Sequence, residues 1–382
     1  MNTTTSAYIL DESKLRRNLE HISNISRQTG TEIILALKAF AWWRTFPILR
    51  EYVRHTTASS LYEARLSFEH FGGLTHTYSP AYEEETFDDI VRMSCHITFN
   101  SLSQYQRFMP HVKAFREHPV SCGLRINPQQ SDITTLLYNP CAPGSRFGVT
   151  AADMPDQLPE GIEGFHFHCL CENDADSLQR VLQRVEQDFE PWLPKLKWLN
   201  MGGGHLMTRQ GYHTELLIDT LQQFHKRHPN LQLLMEPGSA FLWQTGWLEA
   251  SVVDIVENGG IQTAILNVSF TCHMPDCLEM PYHPVIQGAR HINEQEVLTL
   301  PTNTYRLGGN SCLSGDWMGL WQFPEKLSIG SRIRFEDMIH YTTVKTNMFN
   351  GVNHPSMLLL HEDGTLETLR SFTYEDYRDR MN

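Results

Sequence analysis

The sequence predicts an α/β protein, a (β/α)8 TIM-type barrel joined to a second, C-terminal all-β domain. Three observations carry that expectation. Strand-like apolar runs alternate with helix-like stretches eight times over roughly 230 residues, the size of such a barrel. The unusual polar residues fall at the carboxyl ends of those runs, which in barrels is the catalytic face. Past about Ala240 the texture changes to short, β-branched, alternating runs broken by glycine and proline, the pattern of a β unit. The barrel is therefore assigned to residues 11–242, and the β-domain to residues 1–10 with 243–382. A doubly wound sheet is the alternative; it would show a reversal of strand order that a sequence does not display.

Tyr8–Leu10 reads as a short strand shared with the β-domain. Asp11 or Ser13 can cap a helix whose Leu15, Leu19, Ile22 and Ile25 recur at helical spacing. Ile33–Leu37 is a continuous apolar run bounded by polar residues, as in a strand buried on both faces, and Lys38 closes it. The next strand starts at Thr56. Further strands are expected at Leu74–Tyr78, His96–Phe99, Val120–Ile126, Ile162–His168, Leu196–Met201 and Leu231–Glu236, with helices such as Ala64–Phe71 and Leu178–Phe189 between them. In the β-domain, strands are expected at Leu248–Glu257, Ala264–Phe270, Val285–Gln287, Thr304–Leu307 and Ile333–Phe335.

Composition narrows the function. A net charge of −13 argues against a nucleic-acid partner and suits a cationic ligand. No apolar run approaches a membrane span, and Met1–Ser6 lacks the basic-then-apolar pattern of a signal peptide. Eight cysteines in 382 residues do not resemble a disulfide framework, so a cytoplasmic setting is expected.

Lys38, His168, Gly202–Gly204 and Glu236 all end barrel strands. Lys38 is either a snorkelling strand terminus or an amine held in a dry pocket for chemistry. The three glycines permit close backbone approach and a phosphate cradle, or a plain tight turn. Glu236 leaves an apolar strand and needs a partner, a structural cation or a cationic ligand group, since an unpaired buried charge is costly. His166 and His168, with Cys169 and Cys171 and the more distant Cys272, His273 and Cys277, lack the paired spacing of a zinc site, so no metal is expected. Cys312 and Asp316 share a glycine-rich loop, where a thiol can move a proton and a carboxylate can hold an ammonium; a buried cysteine in a hairpin is the plainer reading. Tyr341 is either a hydrogen-bond donor to an anion or a core tyrosine.

In chain order these residues resemble the fold-type III decarboxylases that use pyridoxal phosphate, a family that includes ornithine, diaminopimelate and arginine enzymes and is related to alanine racemase. The resemblance covers nearly the whole chain. It rests on Leu37-Lys38-Ala39, Ala58-Ser59-Ser60 with Glu63, Thr98–Ser101, Leu124–Pro128, Ser145–Gly148, the triple glycine, Glu236-Pro237-Gly238, the Cys312 loop and Tyr341. Within the family, Cys272–Tyr282, Cys312–Asp316 and Ser239 are similar to the members that decarboxylate polyamine precursors. Many relatives carry arginine where Ser239 stands, and diaminopimelate enzymes carry glutamate where Leu313 stands.

The resemblance implies that Lys38 bonds pyridoxal 5'-phosphate covalently. Glu236 would keep its ring nitrogen protonated, where alanine racemases use an arginine, and would also face substrate. His168 would stack on the ring, and Gly203, Gly204, Gly238 and Tyr341 would bind the phosphate, with Arg125 in the surrounding hydrogen-bond network. Cys312 would donate a proton, and Asp276 and Asp316, with Glu279, would hold the substrate's distant ammonium groups. A homodimer with shared sites is implied, because in the family the cysteine loop completes the partner subunit's site. The alternatives are another basic amino-acid decarboxylase of this fold, or a non-enzymatic pyridoxal-phosphate carrier on the barrel alone.

Overall fold

The computed structural model describes residues 5–280, 282–293, 295 and 300–382. The leader reading at Met1–Thr4, and Pro281 of the Cys272–Tyr282 run, lie outside them. Two compact units make up the chain: Arg17–Phe241, and the segment ending at Arg16 together with Leu242–Asn382.

Strand β1 (Ala7–Asp11) belongs to the second unit. In the first, β2 (Glu32–Ile33), β3 (Leu35–Ala36), β4 (Thr56–Ala58), β5 (Thr75–Tyr78), β6 (Ser94–Phe99), β7 (Ser121–Arg125), β8 (Ile162–His166), β9 (Trp198–Asn200) and β10 (Gln232–Met235) form one sheet. Its order is β2-β10-β9-β8-β7-β6-β5-β4-β3, and all pairings are parallel. The two ends of that path are halves of one strand. The run expected at Ile33–Leu37 divides because its first half pairs with β10 and its second with β4. Between them the Ile34 N–H donates to the Met235 carbonyl and the Leu35 N–H to the His55 carbonyl. The sheet therefore closes on itself through Ile34, as a barrel.

Helices follow most strands, among them Leu61–Leu66, Glu84–Met93, Leu102–Ala114, Ala175–Phe189 and Thr214–Arg227. Their starts are readable: Ser60 accepts from the Glu63 N–H and Ser101 from the Gln104 N–H, each satisfying an orphan donor of the first turn. Asp11 does the same for Glu12–Thr29, accepting from the Lys14 N–H. After β7 the alternation lapses, and two single 3-10 turns, Leu136–Tyr138 and Ala151–Asp153, stand in place of a helix.

Register builds the barrel interior in layers, as inward side chains recur at every second residue. Gly123, Gly164 and Trp198 lie side by side on β7, β8 and β9. A Cβ on Gly164 would lie 1.9 Å from the Trp198 indole, and one on Gly123 2.1 Å from it. The two glycines are thus the space that one tryptophan fills. Two residues further along, Arg125, His166 and Asn200 are in register on the same strands. A packed apolar layer supports a polar one at the carboxyl end.

The second unit is a mixed sheet. Its strands are β1, β11 (Gly246–Asn258), β12 (Ile261–Leu266), β13 (Arg290–Ile292), β14 (Thr304–Gly308), β15 (Trp317–Gln322), β16 (Arg332–Glu336), β17 (Ser356–Leu360) and β18 (Leu366–Arg370). The order is β13-β15-β14-β12-β11-β1-β17-β18, with β16 also on β11. The first half of β11 pairs with β1 and β16, and the second half pairs with β12 after a bulge near Val252. Two expectations change here. Val285–Gln287 contributes a single bridge, Ile286 to Phe335. The run to Phe270 ends at Leu266, because the Ser269 hydroxyl accepts from the Cys272 N–H and starts a helical turn, Phe270–His273. The expected β unit is thus a sheet that also carries short helices, Pro275–Glu279, Tyr341–Val344 and Tyr374–Arg378 among them.

Candidate active site

Lys38 stands in the turn after β3, where the Ala39 N–H returns to the Ala36 carbonyl. Leu37 and Ala39 are buried while Lys38 itself is exposed. Even so, burial and then the Arg125 charge pull its pKa below the ordinary lysine value, against the opposing pull of Glu236. Open surface and dense protein surroundings coincide for a side chain standing in a deep concavity, here the barrel mouth. Among the described residues no hydrogen bond or ion pair engages its Nζ.

Glu236, just past β10, is 9% exposed. Asn200 Nδ2 donates to its Oε1 at 2.6 Å, and His166 Nε2 lies 3.4 Å from its Oε2. Burial acts upward on the carboxyl's pKa, but His166, Asn200 and the Lys38 charge outweigh it and hold the value below the usual range. Burial likewise lowers His166. The pair is therefore a neutral imidazole donating from Nε2 to an ionised carboxylate, a tautomer assigned from the carboxylate position. His166 Nδ1 is buried with no partner among the described residues.

Arg125 is 3% exposed, with its guanidinium between the rings of Tyr78 (4.7 Å) and Phe147 (4.4 Å) and one bond to the His168 carbonyl at 3.3 Å. Such stacking suits a weakly hydrated guanidinium. The surrounding motifs interlock. Asn100 Oδ1 accepts from the Tyr78 hydroxyl at 2.8 Å and the Gly148 N–H at 3.1 Å, while Asn127 donates to the Phe147 carbonyl at 3.1 Å. Thr98–Ser101, Leu124–Pro128 and Ser145–Gly148 are thus one assembly that seats Phe147 on Arg125.

The glycines draw the strand ends together. A Cβ on Gly203 would lie 2.5 Å from the Glu236 carbonyl oxygen, one on Gly204 2.0 Å from that of Leu170, and one on Gly238 2.3 Å from the Ala39 Cβ. The Gly203 N–H donates to His168 Nδ1 at 3.0 Å, so that donor faces the imidazole. His168 is half-buried and neutral: burial, then the charges of Lys38 and Arg125, place its pKa well below the usual value. Lys38, Arg125, His168, Gly203, Gly204, Glu236 and Gly238 all belong to the barrel unit.

The remaining candidates belong to the sheet unit. Asp316 is 4% exposed and fully engaged: Oδ1 accepts from the N–H groups of Phe270 and Thr271, and Oδ2 from the N–H and hydroxyl of Ser311. Here the structure departs from a carboxylate awaiting an ammonium, because four donors of its own chain already occupy it. Its effect is to clamp the loop, at whose tip Cys312 is exposed with its N–H on Asn350 Oδ1. Asp276 and Glu279, on the helix Pro275–Glu279, both hold Lys345, whose pKa they raise against the effect of burial. Tyr341 opens the helix Tyr341–Val344 and is half-buried. Sequence reasoning passed over Tyr78 and Asn200, and weighed His166 only as a metal ligand. The signal was there in register, since each stands two residues beyond an inward neighbour on its strand.

A closed barrel with a lysine unpaired among the described residues and an ionised, hydrogen-bonded carboxylate at its mouth, followed by a separate sheet unit, defines a class of lysine-dependent barrel enzyme. The family model of the pyridoxal-dependent decarboxylases, C-terminal sheet domain, matches residues 7–339, and the chain belongs to that family. It is a carboxy-lyase. It is 48% identical over 374 residues to a carboxyaminopropylagmatine decarboxylase of Synechocystis, covering 98% of this chain and 94% of that one. It is 43% identical over 378 residues to a carboxynorspermidine/carboxyspermidine decarboxylase of Campylobacter jejuni, covering 98% and 97%. The crystal structure of carboxynorspermidine decarboxylase from Campylobacter jejuni, complexed with norspermidine, superposes with a TM-score of 0.90 at 41% identity, covering 99% of this chain and 100% of that one.

Proposed function

We propose that the protein decarboxylates carboxynorspermidine or carboxyspermidine, yielding norspermidine or spermidine in polyamine biosynthesis, with pyridoxal 5'-phosphate as cofactor. The observation that carries this reading is the pairing, at one barrel mouth, of an amine with no partner among the described residues and a buried carboxylate held ionised. The residues present fit the cofactor: a nucleophilic amine, an anion for a pyridinium, and glycine-built loops around them. When bound, pyridoxal phosphate supplies an electron-withdrawing ring that accepts the electron pair left as carbon dioxide departs.

Lys38 would hold the cofactor covalently, and burial keeps a larger share of its amine in the neutral, nucleophilic form. Glu236, fixed by Asn200 and His166, would keep the ring nitrogen protonated and border the substrate. His168 would cover the ring face. Gly203, Gly204, Gly238 and Tyr341 would surround the phosphate, with the Ser239 hydroxyl replacing the arginine of many relatives, and Arg125 would steady the network through His168. Cys312 would deliver a proton to the substrate carbon that has lost its carboxylate. Its exposed tip on a clamped loop supports a contribution to the site of a second copy of this chain, hence a homodimer. Asp276, with Glu279, would take the substrate's distant cation, while Asp316 positions the cysteine loop. The sites would work without nucleic acid or membrane; among the described residues no helix is long and apolar enough to cross one. Eight free cysteines suit the reducing cytoplasm.

A second reading is favoured by the 48% identical relative: carboxyaminopropylagmatine, whose far end is a guanidinium, as substrate. Released carbon dioxide, measured with carboxynorspermidine, carboxyspermidine, carboxyaminopropylagmatine and diaminopimelate, tests both. The expected order of kcat/KM places the carboxylated triamines first, close to one another because one methylene discriminates weakly. Turnover of diaminopimelate alone would overturn the proposal.

A further inference from the structure

At the amino-terminal end of the barrel, the inward layer is built from imidazoles. His76 on β5 and His96 on β6 stand in register with their rings 4.0 Å apart and 23° from parallel. The Trp198 indole meets His96 edge-on at 5.3 Å, and His55 tilts against His76 at 5.4 Å. Between the Thr75–Ser94 pair and the His76–His96 pair, β6 carries one extra residue, Cys95. A bulge of this kind re-aims a side chain. Successive strand residues ordinarily face opposite ways, yet here Cys95 and His96 converge: the Cys95 sulfur and one ring nitrogen each of His76 and His96 lie within 4.8 Å of one another.

The cluster carries unmet hydrogen-bonding capacity. His76 is 4% exposed, and Nδ1 of both His76 and His96 is buried with no partner among the described residues. A buried polar atom left unpaired in a native fold needs a cause, and an absent ion is one of the few available. Burial keeps both rings in the neutral, metal-binding form, with the pKa of His96 brought down to about 4 and that of His76 well below normal. Glu32 and Glu163 add negative charge near His96. The Cys95 thiol points to the carbonyls of Thr75 and Leu74 at 3.5 and 3.8 Å, and burial pushes its pKa up to about 12.

We propose that His76, Cys95 and His96 form a site for a thiophilic divalent cation of the zinc class, at the barrel end opposite the catalytic mouth. Two imidazoles and a thiolate are a ligand set that such cations take, with a fourth position left for water or a carboxylate. Binding breaks the Cys95 S–H bond: the sulfur electron pair forms the bond to the metal and the proton passes to solvent. Such a cation would draw the ligand atoms onto bonds of about 2.0–2.3 Å.

The test uses the holoenzyme, freed of metal by a chelator and titrated with Co2+ as the probe, then with Zn2+ in competition. A single equivalent is expected to bind, giving a thiolate-to-cobalt charge-transfer band, releasing a proton, and yielding to Zn2+; Zn2+ should also raise the melting temperature, as any ligand of the native state does. Cys95→Ser should abolish the band and His76→Gln should lose the bound equivalent, while both keep full decarboxylase activity, which certifies their fold. Should either variant fail to fold, Cys95→Ala replaces it with the same expected loss. No band in the wild type, or an unchanged band without the Cys95 sulfur, overturns the proposal and leaves the imidazole stack as a plug of the barrel floor.

Discussion

Asn200 Nδ2 donates to Glu236 Oε1 at 2.6 Å, tying the carboxyl ends of two adjacent barrel strands at the mouth that holds Lys38. Both partners are buried, so the bond acts where the local dielectric strengthens it. Glu236 keeps its charge because this donor and His166 together outweigh the effect of burial.

Removing that charge tests its function. Glu236→Gln preserves the shape and forfeits the anion, and is expected to lower kcat by about a hundredfold or more, the scale of a positioned proton-holding group. Asn200→Asp, by placing a second carboxylate against the first, should raise the apparent pKa of the pair and move the acid limb of the kcat profile upward. Steady-state rates across pH measure both. A Glu236→Gln enzyme of wild-type kcat would remove the carboxylate from the chemistry.

Lys38 yields a pH prediction of definite sign. Its pKa is depressed below 10.5, chiefly by burial and then by Arg125. The rate of cofactor attachment to apoenzyme, followed by the yellow chromophore, should rise with pH around a midpoint below that value. Arg125→Met should shift the midpoint upward, since a like charge has been removed. Lys38→Ala should leave no chromophore that borohydride can trap. A midpoint at the ordinary lysine value would show the amine to be solvated.

Cys312 and Asp316 separate chemistry from support. Cys312→Ala is expected to slow product formation by about a hundredfold, with cofactor absorbance unchanged, because the thiol is exposed and its loop is held elsewhere. Asp316→Ala leaves the donors of Phe270, Thr271 and Ser311 unsatisfied and should cost about 3 kcal/mol or more in stability. Denaturant unfolding and rate assays on the same two variants distinguish the roles. An Asp316→Ala protein of normal stability with a raised KM would return Asp316 to the substrate.

The barrel was legible because its signal is local. Continuous apolar runs marked the strands, and Lys38 and Glu236 were conspicuous as charges ending them. What lay beyond reach was relational. The division of the Ile33–Leu37 run at Ile34 depends on Met235, at the far end of the barrel sequence, as well as on the nearby His55. Asp316 and Asp276 read equally well as ligands for a cation, and only the fold shows that one binds four donors while the other pairs with Lys345. Strand β15 went unseen because Gly319 interrupts its apolar pattern, and β18 because most of its side chains are exposed. The histidine cluster escaped notice because His76 and Cys95 converge only through a bulge.

Lys345 occupies the two carboxylates proposed for the distant substrate cation. Its pairs are partly exposed, and pairs of that kind are worth up to about 1 kcal/mol. Lys345→Met should therefore lower KM by no more than about fivefold, leaving kcat unchanged, as a competing internal cation is removed. An unchanged KM accompanied by a lower melting temperature would make Asp276 and Glu279 a structural clasp instead.

His96 and His205 predict how the barrel responds to acid. Burial lowers each from 6.5 to about 4. Between those values the unfolded chain binds protons that the native state refuses, so stability rises with pH across that window. It is fully present above 6.5, is lost progressively on acidification, and gains no further penalty from these two groups below about 4. Each group contributes a slope of up to about 1.4 kcal/mol per pH unit. His205→Gln, which cannot titrate, should flatten the dependence by that amount when unfolding is measured by denaturant at several pH values in the presence of chelator. An unaltered slope would mean that His205 takes up its proton in the folded barrel as readily as in the open chain.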